Sequence, residues 1–400
     1  MSTDPIILAF SGGLDTSFCV PWLKETYDRP VVTATVNTGG LDDAATAALA
    51  ARADKLGAID HVQIEARDEF FDDVLKYLIM GNVRRGHLYP LCVGAERGIQ
   101  AAYLAKLAKE RGATTVAHGC TAAGNDQVRF EVILKALAPE LEVLAPVRDH
   151  SFQREEQLSY LAKHDMPPPA AGSAYSINRG LWGITIGGTE TLDSVESIPE
   201  SAWVLSSGAY EIPADPEELT IEFVKGVPSA LNNERLAPVP LTEKLEAIGA
   251  RFGIGRGIHL GDTILGTKGR VAFEAPAAEI LLTAHRELEK LTLTGLQQRI
   301  KEPISLTYGD LVHEGKQLEP ACRDIEALLR SSQERVSGVV HCVLRPGHIF
   351  VAGVESPHSL MAASRGKYGE AAGEWTPADA LGFSRILSLP GMLHTRAKGD

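Results

Sequence analysis

The residues with the clearest chemical potential form a short segment near the N-terminus, Ser11-Gly12-Gly13-Leu14-Asp15-Thr16-Ser17. It follows the apolar run 6–10, which predicts a buried strand, and precedes residues 18–24, which predict a short helix. A small-residue turn before a helix presents free backbone N–H groups and the positive end of the helix dipole. Paired glycines let an oxyanion approach the backbone, and the hydroxyl side chains add donors. The segment therefore predicts a phosphate-binding loop.

The spacing differs from that of the commoner phosphate loops, because the lysine of G-x-x-x-x-G-K-[ST] and the pattern G-x-G-x-x-G are both missing. The segment instead resembles the SGGxDS loop of the ATP pyrophosphatase family. That resemblance implies that the β- and γ-phosphates of ATP are held while the α-phosphorus is attacked. An ordinary strand–turn–helix with an N-cap serine is the alternative.

A second cluster of polar side chains lies in residues 118–130 and contains an amide, a carboxylate and a guanidinium. Asn125, Asp126 and Arg129 would share one face if a helix begins near Asn125. Such a group can bind a zwitterion, with Arg129 for a carboxylate, Asp126 for an amine and Asn125 for either. The alternative is a capped helix that carries a surface ion pair.

The elements that must position these residues follow from the patterning. Over the first 150 residues apolar runs alternate with helical patterns, which predicts a parallel α/β sheet. The strands are expected at 31–36, 61–64 and 115–118, and the helices at 42–56, 70–79 and 95–111. Because ligands bind outside the carboxyl ends of such strands, the two polar loops are expected to face one another across one cleft.

The second half of the chain predicts an α+β domain. After the proline-rich hinge candidate 166–169 we expect a strand at 219–224, shorter strands within 253–270, helices at 277–291 and 320–335, and a hairpin of 339–344 with 349–354. The fold class is thus α/β: a nucleotide-binding domain of the ATP pyrophosphatase type (1–168), an α+β synthetase domain (169–370) and a C-terminal tail (371–400). Leu381, Phe383, Ile386 and Leu387 either form a subunit contact or pack on their own core.

Composition narrows the class of protein. The net charge of −13, from 39 basic and 52 acidic residues, argues against nonspecific nucleic-acid binding. Five scattered cysteines without a C-x-x-C pair favour a reducing compartment over a disulfide framework. No signal peptide or apolar stretch of membrane-spanning length is recognisable, so a soluble cytoplasmic protein is expected.

At this point the chain resembles the argininosuccinate synthase family. The pattern A-[FY]-S-G-G-L-D-T-S matches residues 9–17 without exception, and G-x-T-x-K-G-N-D-Q-V-R-F matches residues 119–130 except at one fixed position. Weaker similarity continues through 175–178, 253–256, 268–270 and 274–276. The resemblance implies a two-step ligase: the ureido oxygen of citrulline attacks the α-phosphorus of ATP, and the α-amine of aspartate then displaces AMP. It also implies a homotetramer.

By matching position, the resemblance assigns roles to individual residues. Ser11 and Asp15 would be catalytic, with magnesium tentatively at Asp15. The ATP site would comprise Ala9, Phe10, Ser11, Gly12, Gly13, Leu14, Asp15, Thr16, Ser17, Val36 and Gly119. Aspartate would be held by Thr121, Asn125 and Asp126. Citrulline would be held by Tyr89, Asn125, Arg129, Ser176 and Thr185, the last standing where the family usually has serine.

Four departures from the family pattern bear on the substrates. Ala123 replaces the lysine of the second motif. Gly94, Gly261 and Phe273 replace a serine, a glutamate and a tyrosine that would engage the amino-acid head of citrulline. Losing a carboxylate that pairs with an ammonium changes the chemistry of recognition.

Two explanations of these departures compete. In the first, a neighbouring group (Arg97, Asp262 or His259) binds the head group of citrulline in place of the lost side chains. In the second, the substrate is a ureido acid with a masked α-amine, such as an N-acylated citrulline. Citrulline is the preferred substrate. Two rival functions also stay open: an amide-forming or tRNA-modifying enzyme with the same loop, and a nucleotide-binding module without catalysis.

Overall fold

The computed structural model describes residues 3–166, 175–370 and 372–398 of the chain. Most of the hinge candidate 166–169 and the predicted domain boundary after residue 168 lie outside the described residues. The predicted domain limits therefore stay predictions.

The N-terminal half forms one five-stranded sheet in which every neighbouring pair is parallel, as predicted. Its strands β1 to β5 are Ile6–Ala9, Val31–Asn37, Asp60–Glu65, Thr115–Ala117 and Glu142–Leu144. The order across the sheet is β3-β2-β1-β4-β5, so that β1 and β4 are neighbours. Apolar clusters on both faces bury the central strands, as is usual for parallel sheets. The loops after β1 and β4 consequently leave the same edge side by side.

Within residues 3–166 the structure has eight α-helices, α1 to α8: Leu14–Tyr27, Asp43–Lys55, Arg67–Phe70, Lys76–Gly81, Arg97–Glu110, Asp126–Leu137, Pro146–Asp149 and Arg154–Lys163. A π-helical turn, Phe71–Leu75, joins α3 to α4, and a 3-10 turn, Val93–Glu96, precedes α5. Helix α1 begins at Leu14, inside the glycine-rich segment and earlier than predicted. Helix α6 begins directly after Asn125, as predicted.

Two antiparallel sheets make up the second half, as expected for a mixed domain. The strands β6 to β14 are Ser176–Gly180, Gly183–Gly187, Glu217–Val224, Val227–Leu231, Glu234–Arg235, Arg256–Asp262, Lys268–Glu274, Gly338–Arg345 and His348–Glu355. One sheet has the order β10-β9-β8-β13-β14 and the other β11-β12-β7-β6. The predicted hairpin is confirmed as β13–β14. The glycine-rich stretch 253–270 contains the seven-residue strand β11 and the first three residues of the seven-residue strand β12, rather than only short strands.

The helices of this half, α9 to α14, are Pro238–Arg251, Pro276–Thr292, Gly295–His313, Pro320–Ser332, Leu360–Ala363 and Pro377–Ala397. Helices α10 and α12 confirm the prediction, whereas α9 and α11 were not predicted. Pro303 inside α11 lacks a backbone N–H and argues against a helix there. The helix forms nevertheless because Lys301, Tyr308 and Val312 are buried along it, so that packing outweighs local propensity.

The four-stranded sheet presents two different faces. Ile184 and Ala272 on one face pack against Trp203 in an apolar cluster. The opposite face carries polar and aromatic side chains and is turned toward the N-terminal half. Hydrogen bonds join the halves here, among them Leu181 N–H to the Thr38 carbonyl at 3.0 Å and the Trp182 indole N–H to the Pro90 carbonyl at 2.9 Å.

The last helix, α14, has no buried residue. Leu381, Phe383, Ile386 and Leu387 are 53, 65, 68 and 66% exposed. The expectation that these side chains pack on their own core is therefore wrong. Among the described residues, no helix is both long and apolar enough to cross a membrane.

Candidate active site

The loop between β1 and α1 leaves backbone donors without internal acceptors. Gly13 is the N-cap of α1 and makes no side-chain cap hydrogen bond. Within the described residues no good acceptor faces the N–H groups of residues 12–16, whereas Ser17 N–H donates to the Gly13 carbonyl at 2.9 Å. Donors grouped at the positive end of a helix suit an anion. The geometry therefore supports the predicted phosphate loop.

Glycine at residue 12 is required by the shape of this loop. Its φ is +72°, a left-handed conformation that disfavours other residues. A Cβ at Gly12 would also lie 2.5 Å from Leu49 Cδ2 on α2. The turn thus fits closely beneath α2.

The three hydroxyl side chains of the loop divide into two roles. The Ser17 hydroxyl is buried, donates to the Gly12 carbonyl at 3.2 Å and accepts from Arg52 Nε at 2.8 Å. It holds the turn rather than a ligand. Ser11 is exposed, and its Oγ lies 3.2 Å from Thr16 Oγ1. Ser11 and Thr16 are therefore the hydroxyls available to a phosphate.

Several residues assigned to the ATP site lie in the apolar core. Phe10, Leu14 and Val36 are buried, and Ala9 is half-buried on β1. A nucleotide could therefore contact the backbone of these residues, but little of their side chains. The ATP-binding role of the segment stays a prediction, and burial separates the residues that shape it from those that face outward.

Asp15 lies in the first turn of α1 and is half-buried. Burial raises the pKa of its carboxyl group, while a hydrogen bond with Gln157 and the positive charge of Arg154, both on α8, act in the opposite direction. A carboxylate held in this way gains from a cation beside it, because the cation stabilises the ionised form.

The second loop touches the first. A Cβ built on Gly119 would lie 3.1 Å from both the backbone N and Cγ2 of Thr16. His118 before it is buried, and burial, assisted by the charge of Arg148, lowers its pKa to about 4. Thr121 is exposed beyond this contact. The two loops therefore lie side by side, and their facing one another across one cleft stays a prediction.

Asp126 is held between two arginines. Its Oδ1 accepts from Arg129 Nη1 at 2.6 Å, and its Oδ2 accepts from Arg97 Nε at 3.0 Å. Burial would raise the pKa of Asp126, but the two guanidinium groups outweigh it and lower the pKa to about 2. The predicted clustering of Asp126 with Arg129 is correct, while the role of Arg97 was missed because it lies on α5.

Arg97 extends this network to the end of β2. Its Nη1 donates to Glu96 Oε1 at 3.0 Å, and Thr38 Oγ1 donates to Glu96 Oε2 at 2.8 Å. Glu96 is almost fully buried; burial raises its pKa to about 7 despite the charge of Arg97. Arg97 Nη2 also lies 3.4 Å from Asn178 Oδ1 on β6. One guanidinium thus connects the parallel sheet with the antiparallel one.

Arg129 is engaged by the second half of the chain more than the sequence suggested. Its Nε donates to the His313 carbonyl at 2.7 Å, and its Nη2 lies 3.1 Å from His313 Nδ1. Burial and the charge of Arg129 lower the pKa of His313 to about 3, so its Nδ1 accepts and Nε2 carries the proton. That buried Nε2 has no partner among the described residues. The separation of 184 residues explains why His313 escaped the sequence analysis.

Asn125 joins the second loop to the β11–β12 hairpin. Its Oδ1 accepts from Ile264 N–H, in the turn of that hairpin, at 2.8 Å. The side-chain amide nitrogen makes no hydrogen bond within the described part of the chain. Asn125 can therefore donate to a ligand while its oxygen positions the hairpin.

Tyr89 forms the centre of an aromatic group on the site-facing side of the four-stranded sheet. Its ring is stacked on His259 with centroids 5.4 Å apart and meets Phe273 edge-on at 5.1 Å. Thr185, half-buried on β7, pairs with Phe273 on β12, so both side chains point to the same face. Ser176 lies on the outer strand β6 and is exposed. The structure thus places Tyr89 and Thr185 near one another, with Ser176 farther out.

Three residues that depart from the family pattern, Gly94, Gly261 and Phe273, each lie against a side chain described above. A Cβ at Gly94 would lie 3.1 Å from Arg129 Nη2, and one at Gly261 would lie 2.5 Å from His259 Nε2. Phe273 contacts Tyr89 directly. The space near the lost side chains is therefore occupied in part by Arg129 and His259.

Two charged residues of the weaker motifs hold the fold together. Glu274 is buried and accepts from three successive backbone N–H groups, those of residues 204–206, at 2.6 to 2.9 Å. Arg270 donates to the backbone carbonyls of Asp193 and Glu196 at 2.7 and 2.6 Å. Both side chains fasten the long connection between β7 and β8 to the four-stranded sheet.

A cleft of about 890 Å³ lies beside the docking point of the two halves. It is lined by Asp42, Arg179, Ser206 and Glu246 among others, and by none of the residues predicted for ATP, aspartate or citrulline. The residues predicted to bind the substrates therefore lie outside this space.

The fold and site define a class: a nucleotide-binding α/β domain with a phosphate loop lacking lysine, joined to a mixed domain that completes the cleft. Comparisons with known proteins agree. Residues 5–167 match the family described as "Arginosuccinate synthase N-terminal HUP domain", and residues 175–394 match "Arginosuccinate synthase C-terminal domain". The chain belongs to the argininosuccinate synthase family.

Relatives named argininosuccinate synthase are similar over nearly their whole lengths. The protein from Pyrobaculum aerophilum is 37% identical, with 100% of both chains covered. That from Methanothermobacter thermautotrophicus is 40% identical over 90% of this chain and 89% of its own. That from Symbiobacterium thermophilum is 37% identical over 98% of this chain and 97% of its own.

Proposed function

We propose that this protein is an ATP-dependent ligase that joins citrulline to aspartate, releasing AMP and pyrophosphate, as in arginine biosynthesis. The observation that carries the proposal is the contact of Gly119 with Thr16. It sets a phosphate loop beside a helix start that carries Asn125, Asp126 and Arg129. An amino-acid site next to a nucleotide site is the arrangement that this ligation needs.

In the first step, the ureido oxygen of citrulline forms a bond to the α-phosphorus of ATP, and pyrophosphate leaves. Ser11, Thr16 and the backbone donors of residues 12–16 bind the leaving phosphates. The helix dipole of α1 stabilises the charge that develops there. In the second step, the α-amine of aspartate attacks the ureido carbon, and AMP leaves. Positioning supplies much of the rate, since no dedicated protein base is evident among the described residues around the two loops.

Substrate contacts divide between the two halves. Thr121, Asn125 and Asp126 are proposed to bind aspartate, and Tyr89, Arg129 and Thr185 to bind citrulline, together with Asn125 and Ser176. Asp126 is already ion-paired with Arg97 and Arg129. It therefore binds a substrate amine while it stays paired with the guanidinium groups of both arginines.

Magnesium is proposed to bind with the phosphates at Asp15. Within residues 3–166, 175–370 and 372–398, no group of three or more His, Cys, Asp or Glu side chains could hold a metal ion. The single carboxylate of Asp15 is enough for Mg²⁺, which usually binds one or two carboxylates and completes its coordination shell with phosphate oxygens and water. The ion would neutralise charge on the phosphates, which matters more because Ala123 supplies no cation.

The test is pyrophosphate release from ATP and aspartate with citrulline, and separately with N-acetylcitrulline. We expect release that depends on both amino acids and a larger kcat/KM for citrulline. A much larger kcat/KM for the acylated compound would instead establish a masked α-amine as the substrate. ATP binding without pyrophosphate formation would show a non-catalytic nucleotide-binding module.

A homotetramer is also proposed, and so is a cytoplasmic location, which five free cysteines favour. The exposed apolar side chains of α14 support association, because such patches commonly mark interfaces. Light scattering should report a smaller species for Ile386→Asp and an unchanged one for Ser384→Asp. Equal masses for both variants would exclude α14 from the interface.

A further inference from the structure

We propose that His259 binds the head group of the ureido acid, with its Nε2 accepting a hydrogen bond from the α-nitrogen of the substrate. The inference rests on the proposed function, because it assumes that a ureido acid binds beside Tyr89. It assigns a specific contact in place of the carboxylate that is missing at Gly261.

The position of His259 supports this role. It lies on β11 with its ring parallel to that of Tyr89, at an interplanar angle of 17°. Residues 259 and 261 share one face of the strand, and the Nε2 atom is directed toward Gly261. The imidazole therefore stands where a side chain at residue 261 would begin.

His259 is 9% exposed, and its Nε2 atom is buried without a partner among the described residues. Native proteins rarely leave such atoms unsatisfied without a reason. A substrate N–H group at this point would complete the hydrogen bonding.

The charge state of His259 suits an acceptor. Burial, together with the positive charge of Arg85, lowers the pKa of the imidazole, so the ring is neutral near pH 7. A neutral imidazole offers one lone pair, which can accept from an ammonium or from an amide N–H.

The other two candidates are less suitable. Arg97 is occupied by Asp126 and Glu96. Asp262 is exposed, ion-paired with Lys268, and adjacent in sequence to Gly261, so its side chain points to the opposite face of β11. Of the three neighbouring groups, His259 alone combines burial with an unsatisfied atom on the correct face.

The first test compares His259→Leu with His259→Gln in the full-length protein. Leucine keeps an apolar side chain there and removes the acceptor, whereas glutamine can place an oxygen near the position of Nε2. We expect the leucine variant to raise the KM for the preferred ureido acid about tenfold or more, with the KM values for ATP and aspartate within about twofold of wild type. The glutamine variant should recover most of the loss. If both variants raise all three KM values equally, or if leucine leaves the ureido KM unchanged, the proposal is wrong.

The second test restores the carboxylate in His259→Leu/Gly261→Glu. Removing the imidazole makes room for the glutamate, which pairs with an ammonium but not with an amide. The double variant should therefore favour citrulline over N-acetylcitrulline about tenfold more than His259→Leu does, and an unchanged ratio would contradict the proposal. Absence of pyrophosphate release from the wild-type protein with either compound would overturn the proposed function itself, which is a separate result.

Discussion

The phosphate loop and the ureido-acid side of the cleft are built in opposite ways. The phosphate loop is one continuous segment whose shape depends on backbone conformation, above all at Gly12. The proposed ureido-acid side brings together Tyr89, Arg129, His259 and His313, which are far apart in the sequence. The comparison shows that a family motif without exceptions identifies a site made by the backbone. A site made by remote side chains can change residue by residue while the fold remains.

The largest effect is expected for a substitution of Asp15 in the phosphate loop, which should change the rate of adenylation much more than ATP binding. Asp15→Asn should slow adenylation by about 10²–10³-fold while changing ATP affinity much less, because the carboxylate is proposed to act on charge that grows during pyrophosphate departure. Single-turnover measurement of the adenylation rate checks this. Asp43→Asn, an exposed acidic residue in the first turn of α2, serves as the control and should behave as wild type. An adenylation rate unchanged by Asp15→Asn would refute the role.

A second substitution tests whether backbone shape controls the phosphate loop. Gly12→Ala should destabilise the fold by about 2–3 kcal/mol and weaken ATP binding, because it combines left-handed strain with a collision against Leu49. The matched control is Gly112→Ala, where φ is +63° but nothing lies within 4 Å of the new Cβ. It should cost only about 1 kcal/mol and leave ATP affinity unchanged. If urea unfolding shows equal losses of stability for the two variants, and ATP titration shows equal losses of affinity, the collision with Leu49 has no effect.

The smallest expected effect concerns the side-chain network. Glu96 has its pKa raised to about 7 in the folded state, so the stability it contributes is full below about pH 4.5 and is lost as the pH rises toward 7. This group should lower the unfolding free energy by about 2 kcal/mol between about pH 5 and pH 7. Glu96→Gln should remove that part of the pH dependence.

Urea unfolding of both proteins at the two pH values provides the measurement for Glu96. The unfolding free energy of the variant is subtracted from that of wild type at each pH. This is needed because the buried histidines His118 and His313, whose pKa values are lowered, add stability as the pH rises, opposite to Glu96. Parallel pH profiles for wild type and variant would show that Glu96 does not titrate in this range.

The same contrast explains how much could be predicted from the sequence. The parallel sheet, the phosphate loop and the Asp126–Arg129 pair were predicted because each depends on residues close together in the chain. Helix α11 was missed since Pro303 argues against it locally, and with it His313. Strand β5 was missed because it is a short edge strand that begins with the exposed Glu142, whereas the equally short β4 is fully buried. The positions of Gly94, Gly261 and Phe273 were identified as departures, but only the fold shows that Arg129, His259 and Tyr89 lie against them.

The pairing of β6, β7 and β12 has a consequence for how the protein folds. Strands β7 and β12 are hydrogen-bonded although more than eighty residues of chain separate Ile186 from Ala272, whereas β1 and α1 are consecutive. Closing such long loops costs chain entropy before any contact repays it, which slows the formation of non-local sheets. The surface that is proposed to recognise the ureido acid therefore forms only when this long-range pairing is complete.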